Sequence, residues 1–301
     1  MPAQRLCWDR DGRDWPLRAA SRFVVAGGLR WHVQVMGAGP CILLVHGTGS
    51  ATHNWRGVMP ALSRRFRVVA PDLPGHGFTD APAPEGFGTE GMGRLLAKLL
   101  AALDARPLLC VGHSAGAALL VRMAIDGTLE TEAIASVNGA LTIPRGAAWR
   151  LFGPAARMLA ASGVAARMVC ALADPPRVAQ MAESTGSRLD STGLACYSRL
   201  AANPAHVAGV LAMMARWDLE AVERDLPRLR PPLFLAVGEG DLAVPPGEAE
   251  RVRERVGGPP VRRWPRLGHL AHEEDPGVLI DWIDDIVAQL AQPRREAVNE
   301  A

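Results

Sequence analysis

The sequence predicts an α/β fold built on an open, mainly parallel sheet. Three observations carry that expectation. Short apolar runs recur without polar alternation, as strands covered on both faces require. Segments of helical period lie between them, the pattern of βαβ units. One run passes through Gly112-His113-Ser114-Ala115-Gly116 straight into a helical segment, and a turn of that kind lifts a serine above the end of a sheet.

Residues 22–26 and 29–36 predict a leading hairpin, with Gly27-Gly28 as its turn. Cys41 to Val45 is the first continuous apolar run and ends at His46-Gly47. Arg67 to Ala70 ends at Pro71-Asp72, Leu108 to Val111 at Gly112, and Ala133 to Val137 is the fourth. Leu233 to Val237 is the fifth and Val261 to Trp264 a short sixth. Helical patterns cover 91–103, 115–125, 247–256 and 276–291. From Leu141 to Asp218 no buried strand is legible. That interval is rich in Ala, Met and Arg, with prolines at 144, 154, 175, 176 and 204, and predicts short helices inserted between two strands. The division is a core of 1–140 and 219–301, including an N-terminal leader of 1–21, and an insert of 141–218. The tail from Gln292 is polar and is expected to fray.

Composition narrows the classes. The 301 residues exceed one compact sheet domain and fall short of two large ones. Apolar residues make up 49% and charged residues 21%, which excludes a disordered chain. A net charge of +2 without a basic block argues against a nucleic-acid partner. Cys7, Cys41, Cys110, Cys170 and Cys196 are an odd set without a CxxC pair. Neither a disulfide framework nor a metal site is expected, and a reducing, cytoplasmic compartment is. Met1 to Arg18 lacks the apolar stretch of a secretory signal, and no uncharged apolar stretch is long enough to span a bilayer.

The chemistry-bearing residues follow in chain order. Ser114 is the nucleophile candidate, and the Ala115 amide after it opens a helix. His46-Gly47-Thr48-Gly49, directly after a strand, offers a second backbone donor at Thr48; two such donors would form an oxyanion hole. A serine hydroxyl needs a base. Among eight histidines, His269 in Leu267-Gly268-His269 is chosen, with His272 as the alternative. The acid is expected after the preceding strand, in Gly238-Glu239-Gly240-Asp241; Asp241 is chosen and Glu239 kept as alternative. Asp72 and His76, in Pro71-Asp72-Leu73-Pro74-Gly75-His76-Gly77, are taken as a structural turn in which Asp72 accepts backbone hydrogen bonds.

These motifs resemble the α/β-hydrolase superfamily over nearly the whole chain. The resemblance implies a mainly parallel sheet of about eight strands and makes the 141–218 insert a helical cap. Finer segments resemble the BchO family of magnesium-chelatase accessory proteins of bacteriochlorophyll biosynthesis. They are Asp14-Trp15-Pro16 with Arg18-Ala19-Ala20-Ser21-Arg22-Phe23, the run from His46 to Trp55, Gly186-Ser187-Arg188-Leu189-Asp190, Asn203-Pro204-Ala205-His206-Val207 and Met213-Met214-Ala215-Arg216-Trp217-Asp218. Magnesium chelatase subunits are the partners this implies, and a tetrapyrrole the small-molecule substrate. No resident cofactor is implied, since Mg²⁺ would belong to the product.

Inserting Mg²⁺ into a porphyrin needs no acyl transfer, so two readings stand. One is a serine hydrolase acting on an ester or amide through Ser114, His269 and Asp241. The other is a non-catalytic porphyrin-binding or chelatase-assisting module. For the second, Trp149, Met158, Met168, Met181, Tyr197, Met213, Met214 and Trp217 could line an apolar pocket, with His113 beside the nucleophile as a further contact. The stretch His206 to Ala215, too short to span a bilayer, leaves peripheral membrane contact open.

Overall fold

The computed structural model describes residues 5–143 and 163–292. The strands are β1 (Ser21–Ala26), β2 (Leu29–Met36), β3 (Cys41–Val45), β4 (Arg67–Pro71), β5 (Pro107–His113), β6 (Ala133–Val137), β7 (Leu233–Gly238) and β8 (Arg262–Trp264). They form one eight-stranded sheet in the order β1-β2-β4-β3-β5-β6-β7-β8. β1 and β2 are an antiparallel hairpin, and β2 also runs antiparallel to β4. Every pairing from β4 to β8 is parallel. Gly27 and Gly28 take φ of 59° and 80°, the two positive values that a tight hairpin turn demands.

The apolar runs are continuous because both faces of the sheet are covered. In β3, Cys41, Leu43 and Val45 enter one core, while Ile42 and Leu44 enter the other. The first core is closed by Met92, Leu96 and Leu99 of the helix Thr89–Ala102 and by the helix Ala115–Ile125. The second is closed by Trp55, Met59 and Leu62 and by Leu279, Trp282, Ile283 and Ile286 of the helix Pro276–Leu290. Fully burying each of these large side chains is worth roughly 1.5–3 kcal/mol, so the two cores fix the strand registers and with them the positions of the strand ends.

Between β6 and β7 the described residues hold the helices Gly163–Leu172, Pro175–Ser184, Ser191–Ala201, Pro204–Arg216 and Leu219–Asp225, and no strand. The last four start on Asp174, Asp190, Asn203 and Asp218, whose side chains accept from the amides of Arg177, Gly193, His206 and Ala221. Trp149, Met158, Pro144 and Pro154 lie outside the described residues, as does the tail after Gln292. The leader docks on this helical layer and on the core. Trp15 is buried and donates to Thr52 Oγ1 (3.0 Å), and Arg199 of the helix Ser191–Ala201 reaches Asp11 O and Asp14 Oδ2. The five cysteines are free. Burial pushes the thiols of Cys110 and Cys196 up to about 12. No helix among the described residues is long and apolar enough to cross a membrane.

Candidate active site

The parallel strands all end on one side of the sheet, and the loops that follow them converge there. β5 ends at His113 and a helix begins at Ala115. Ser114 between them has φ 51° and ψ −118°, a conformation that costs a non-glycine residue of order 1–3 kcal/mol. The surrounding structure imposes it. A Cβ on Gly112 would stand 2.5 Å from Ala117 N and Cα, and one on Gly116 would stand 2.3 Å from Val45 O. The two glycines thus let the helix close onto β5 and β3 at once, and the turn is anchored by Ser114 N donating to Val137 O (3.1 Å).

The loop after β3 lies against this turn. A Cβ on Gly47 would come within 3.0 Å of Ser114 Cβ and 2.9 Å of His113 Nδ1. Thr48 and Gly49 continue from there, Gly49 with φ 77°. The Ala115 amide, at the first position of its helix, lies in the turn that has no intrahelical acceptor and carries the positive end of the helix dipole.

After β7, the Asp241 carboxylate is fully committed. Oδ1 accepts from Ala243 N and Val244 N (2.8 Å each), and Oδ2 accepts from His269 Nδ1 (2.8 Å) and Asn138 Nδ2 (2.7 Å). Because the carboxylate can only accept, His269 carries a proton on Nδ1, and Nε2 is the ring nitrogen left for another partner. Nε2 makes no protein hydrogen bond among the described residues, and the residue remains 9% exposed. Glu239 is exposed, with its backbone amide donated to Trp264 O. His272 sits in the short helix Ala271–Glu274. It is wholly buried against Trp55 and His113, and burial holds its ring down at about 3. The structure therefore joins Asp241 to His269, while Glu239 and His272 stand apart from that pair.

The remaining sequence candidates occupy different places. His113 is 2% exposed. Its Nε2 donates to His269 O (2.9 Å), so it braces the His269 backbone from within the core instead of lining an open pocket. Met213 is fully buried with its sulfur 4.0 Å from Thr48 Oγ1, and Trp217 packs against the first core. Met214 is 53% exposed, and Met168 and Met181 also face outward. Those three do not form an interior apolar wall, because each lies on the outer side of its helix. Trp149 lies outside the described residues. The stretch His206 to Ala215 belongs to a helix whose His206, Val207, Gly209 and Met213 are buried.

Asp72 takes the expected structural role. Oδ1 accepts from Thr52 N (2.7 Å), and Oδ2 accepts from Phe78 N (2.9 Å) and His32 Nδ1 (2.7 Å). Burial opposes its charge, but His32, His46 and these donors hold it well below the usual carboxylate range. His32 Nε2 meets Ser21 Oγ at 2.9 Å, which completes a second Ser–His–Asp chain on the hairpin edge. Ser21 opens an antiparallel strand, away from the strand-to-helix turns, and also accepts from Gln34 Nε2 (3.2 Å). We assign that chain to architecture.

Several site residues escaped the sequence reading. Asn138, at φ 47° just after β6, holds Asp241 from the side. The only local cue was that asparagine tolerates positive φ. Glu273 accepts from Tyr197 Oη (2.8 Å) and Arg56, and burial raises its carboxyl to about 7 even with that guanidinium beside it. Among the described residues, no group of three or more His, Cys, Asp or Glu could hold a metal ion.

Comparison with known proteins agrees with this architecture. The family model of the alpha/beta hydrolase fold matches residues 40–276. The magnesium-chelatase 30 kDa subunit of Rhodobacter capsulatus is 37% identical over 278 residues, 90% of this chain and 97% of that protein. A 2-hydroxy-6-oxo-2,4-heptadienoate hydrolase of Pseudomonas putida is 45% identical over 107 residues, 35% of this chain and 39% of that one. The crystal structure of an alpha/beta hydrolase fold protein from Burkholderia ambifaria superposes with a TM-score of 0.74 at 25% identity, covering 88% of this chain and 97% of that one.

Proposed function

Since this chain belongs to the alpha/beta hydrolase fold family, we propose that it is a serine hydrolase cleaving an ester or amide of a small molecule. The single observation that carries this reading is the strained Ser114, held between Gly112 and Gly116, in the same cluster of strand ends as the His269–Asp241 pair. In this reading His269 Nε2 takes the Ser114 proton as Oγ attacks the carbonyl carbon. Asp241 keeps the ring in the required tautomer and stabilises the imidazolium. The Thr48 and Ala115 amides receive the oxyanion, each such donor being worth about 3–4 kcal/mol in a dry site. His269 then returns the proton to the departing alcohol or amine, and water resolves the acyl-enzyme by the same route. Residues 1–140 and 219–301 serve as the core, and 141–218 as a cap that sets access and selectivity.

The test is active-site labelling. A fluorophosphonate should modify Ser114 in the wild-type protein and leave Ser114→Ala unlabelled. A folded wild type without an adduct at Ser114 removes the hydrolase reading.

The likeness to a magnesium-chelatase subunit favours a second reading, a chelatase-assisting or porphyrin-binding role for the same scaffold. A chelatase assay with and without the protein separates the two. If Ser114→Ala stimulates as well as wild type, assistance is independent of acyl transfer. If wild type does not stimulate, the assisting role falls.

A further inference from the structure

The loop expected to supply an oxyanion donor is held by the helices inserted between β6 and β7, three consecutive residues at a time. Met213 Sδ lies 4.0 Å from Thr48 Oγ1. His206 Nδ1 accepts from Gly77 N (3.0 Å), which leaves the ring proton on Nε2, and Nε2 donates to Gly49 O (3.3 Å). Tyr197 Oη donates to Glu273 Oε1 (2.8 Å), so its oxygen accepts from Ser50 Oγ (3.1 Å). The helix carrying His206 also presses closely on the loop after β4, where a Cβ on Gly209 would stand 2.1 Å from Gly75 O. The loop's own side-chain tie lies before Thr48: His46 Nδ1 donates to Gly47 O (2.7 Å), and His46 Nε2 accepts from Leu73 N (2.9 Å). The loop's one internal backbone bond is Ser50 N to Gly47 O (3.3 Å), and Thr48 is solvent-exposed.

We infer that Tyr197 and His206 are positioning residues that fix the Thr48–Ser50 backbone so that the Thr48 amide faces the reacting carbonyl. The inserted helices thereby complete the oxyanion site as well as roofing it. The inference rests on the hydrolase reading above. The bridge made by His206 is rigid because its two ring nitrogens have opposite duties, one accepting from the β4 loop and one donating to the β3 loop. The bridge made by Tyr197 joins the β3 loop to Glu273, four residues beyond His269. Movement of these helices would therefore shift the oxyanion donor and the base loop together.

The test uses the full chain with two shape-conserving variants, Tyr197→Phe and His206→Phe, and a rescue, His206→Gln, whose amide nitrogen reaches the Gly49 carbonyl. Expected are a tenfold or greater fall in kcat for 4-nitrophenyl acetate with KM within twofold, and at least tenfold faster amide exchange at Thr48–Ser50. His206→Gln should recover most of both losses. A role limited to packing would lower Tm and leave kcat unchanged. Turnover by wild type with kcat and exchange unaltered in both variants overturns this inference alone. A wild type with neither turnover nor a Ser114 adduct overturns the hydrolase reading and this inference with it.

Discussion

Asp241→Asn is the most discriminating substitution in this molecule. The carboxylate takes four hydrogen bonds, two from the Ala243 and Val244 amides through Oδ1 and two from His269 and Asn138 through Oδ2. An asparagine keeps its carbonyl for the two amides and turns its NH₂ toward His269. His269 Nδ1 must then accept, the ring proton moves to Nε2, and the base has no lone pair for Ser114. The side chain of Asn138 absorbs the change by flipping, since its Oδ1 is buried without a partner and can accept from the new NH₂. The fold should therefore survive, with a stability loss of about 1–3 kcal/mol from the lost charge-assisted bonds. Wrong-tautomer substitutions of this kind in serine proteases cost ~10⁴ in kcat, or about 5.4 kcal/mol of barrier at 1.36 kcal/mol per tenfold. The assay is steady-state turnover of an activated ester together with the second-order rate of fluorophosphonate labelling. Circular dichroism confirms the fold. A folded Asp241→Asn with kcat within tenfold of wild type refutes the proposed role of Asp241.

Three further outcomes are expected. His269→Ala should abolish fluorophosphonate labelling of Ser114, while His272→Phe, which replaces one buried ring by another beside Trp55, should keep it within tenfold; the reverse result assigns the base to His272. Gly116→Ala should destabilise by about 2 kcal/mol or more in urea unfolding despite the better helix propensity of alanine, because the added methyl meets the Val45 and His46 carbonyls, which cannot yield; an unchanged or higher midpoint contradicts the close packing. Glu273 is held at about 7 in the folded protein, above its unfolded value. Its stabilising contribution is thus fully present below about pH 4.3 and is lost as pH rises through 7. The buried histidines, with His206 at about 4 and His272 at about 3, act in the opposite sense below about pH 6.5. The measurement is therefore the difference in unfolding free energy between wild type and Glu273→Gln. That difference should favour wild type progressively as pH falls from 8 to 5, and a flat difference shows that Glu273 is ionised throughout.

The parts of this fold that were legible in the sequence are those fixed by local patterning. β3, β5, β6 and β7 are apolar on both faces because helices cover both, so their runs stand out without a partner being known. β8 is less distinct. Of Arg262, Arg263 and Trp264 only the tryptophan is buried, while the arginines reach Asp285 and Glu250 at the sheet edge. Ser114, Asp241 and His269 stand out as candidates because each follows a strand at a glycine-bearing turn. The supports of the site were hidden because they join residues far apart in the chain. Tyr197 meets Ser50, His206 meets Gly49 and Asn138 meets Asp241 only after the sheet order is set. The burial of Met213 and the exposure of Met214, its neighbour, likewise depend on which side of the helix faces the core.

The adjacency of β6 and β7 has a consequence for how the protein is made. Ile134 pairs with Leu233, so two touching strands are separated in the chain by the entire helical insert. Closing a loop of about 100 residues costs roughly 4 kcal/mol of chain entropy beyond a constant, and that cost falls before the pairing returns anything. Asn138 lies just before the insert and Asp241 well after it, so the hydrogen-bonded cradle of the His269 ring forms only once β6 and β7 have met. In chain order the serine turn after β5 comes first, and Asp241 and His269 follow only after β7 and β8. Under the proposed mechanism the Ser114 hydroxyl would therefore stay inert until the last part of the sheet has assembled.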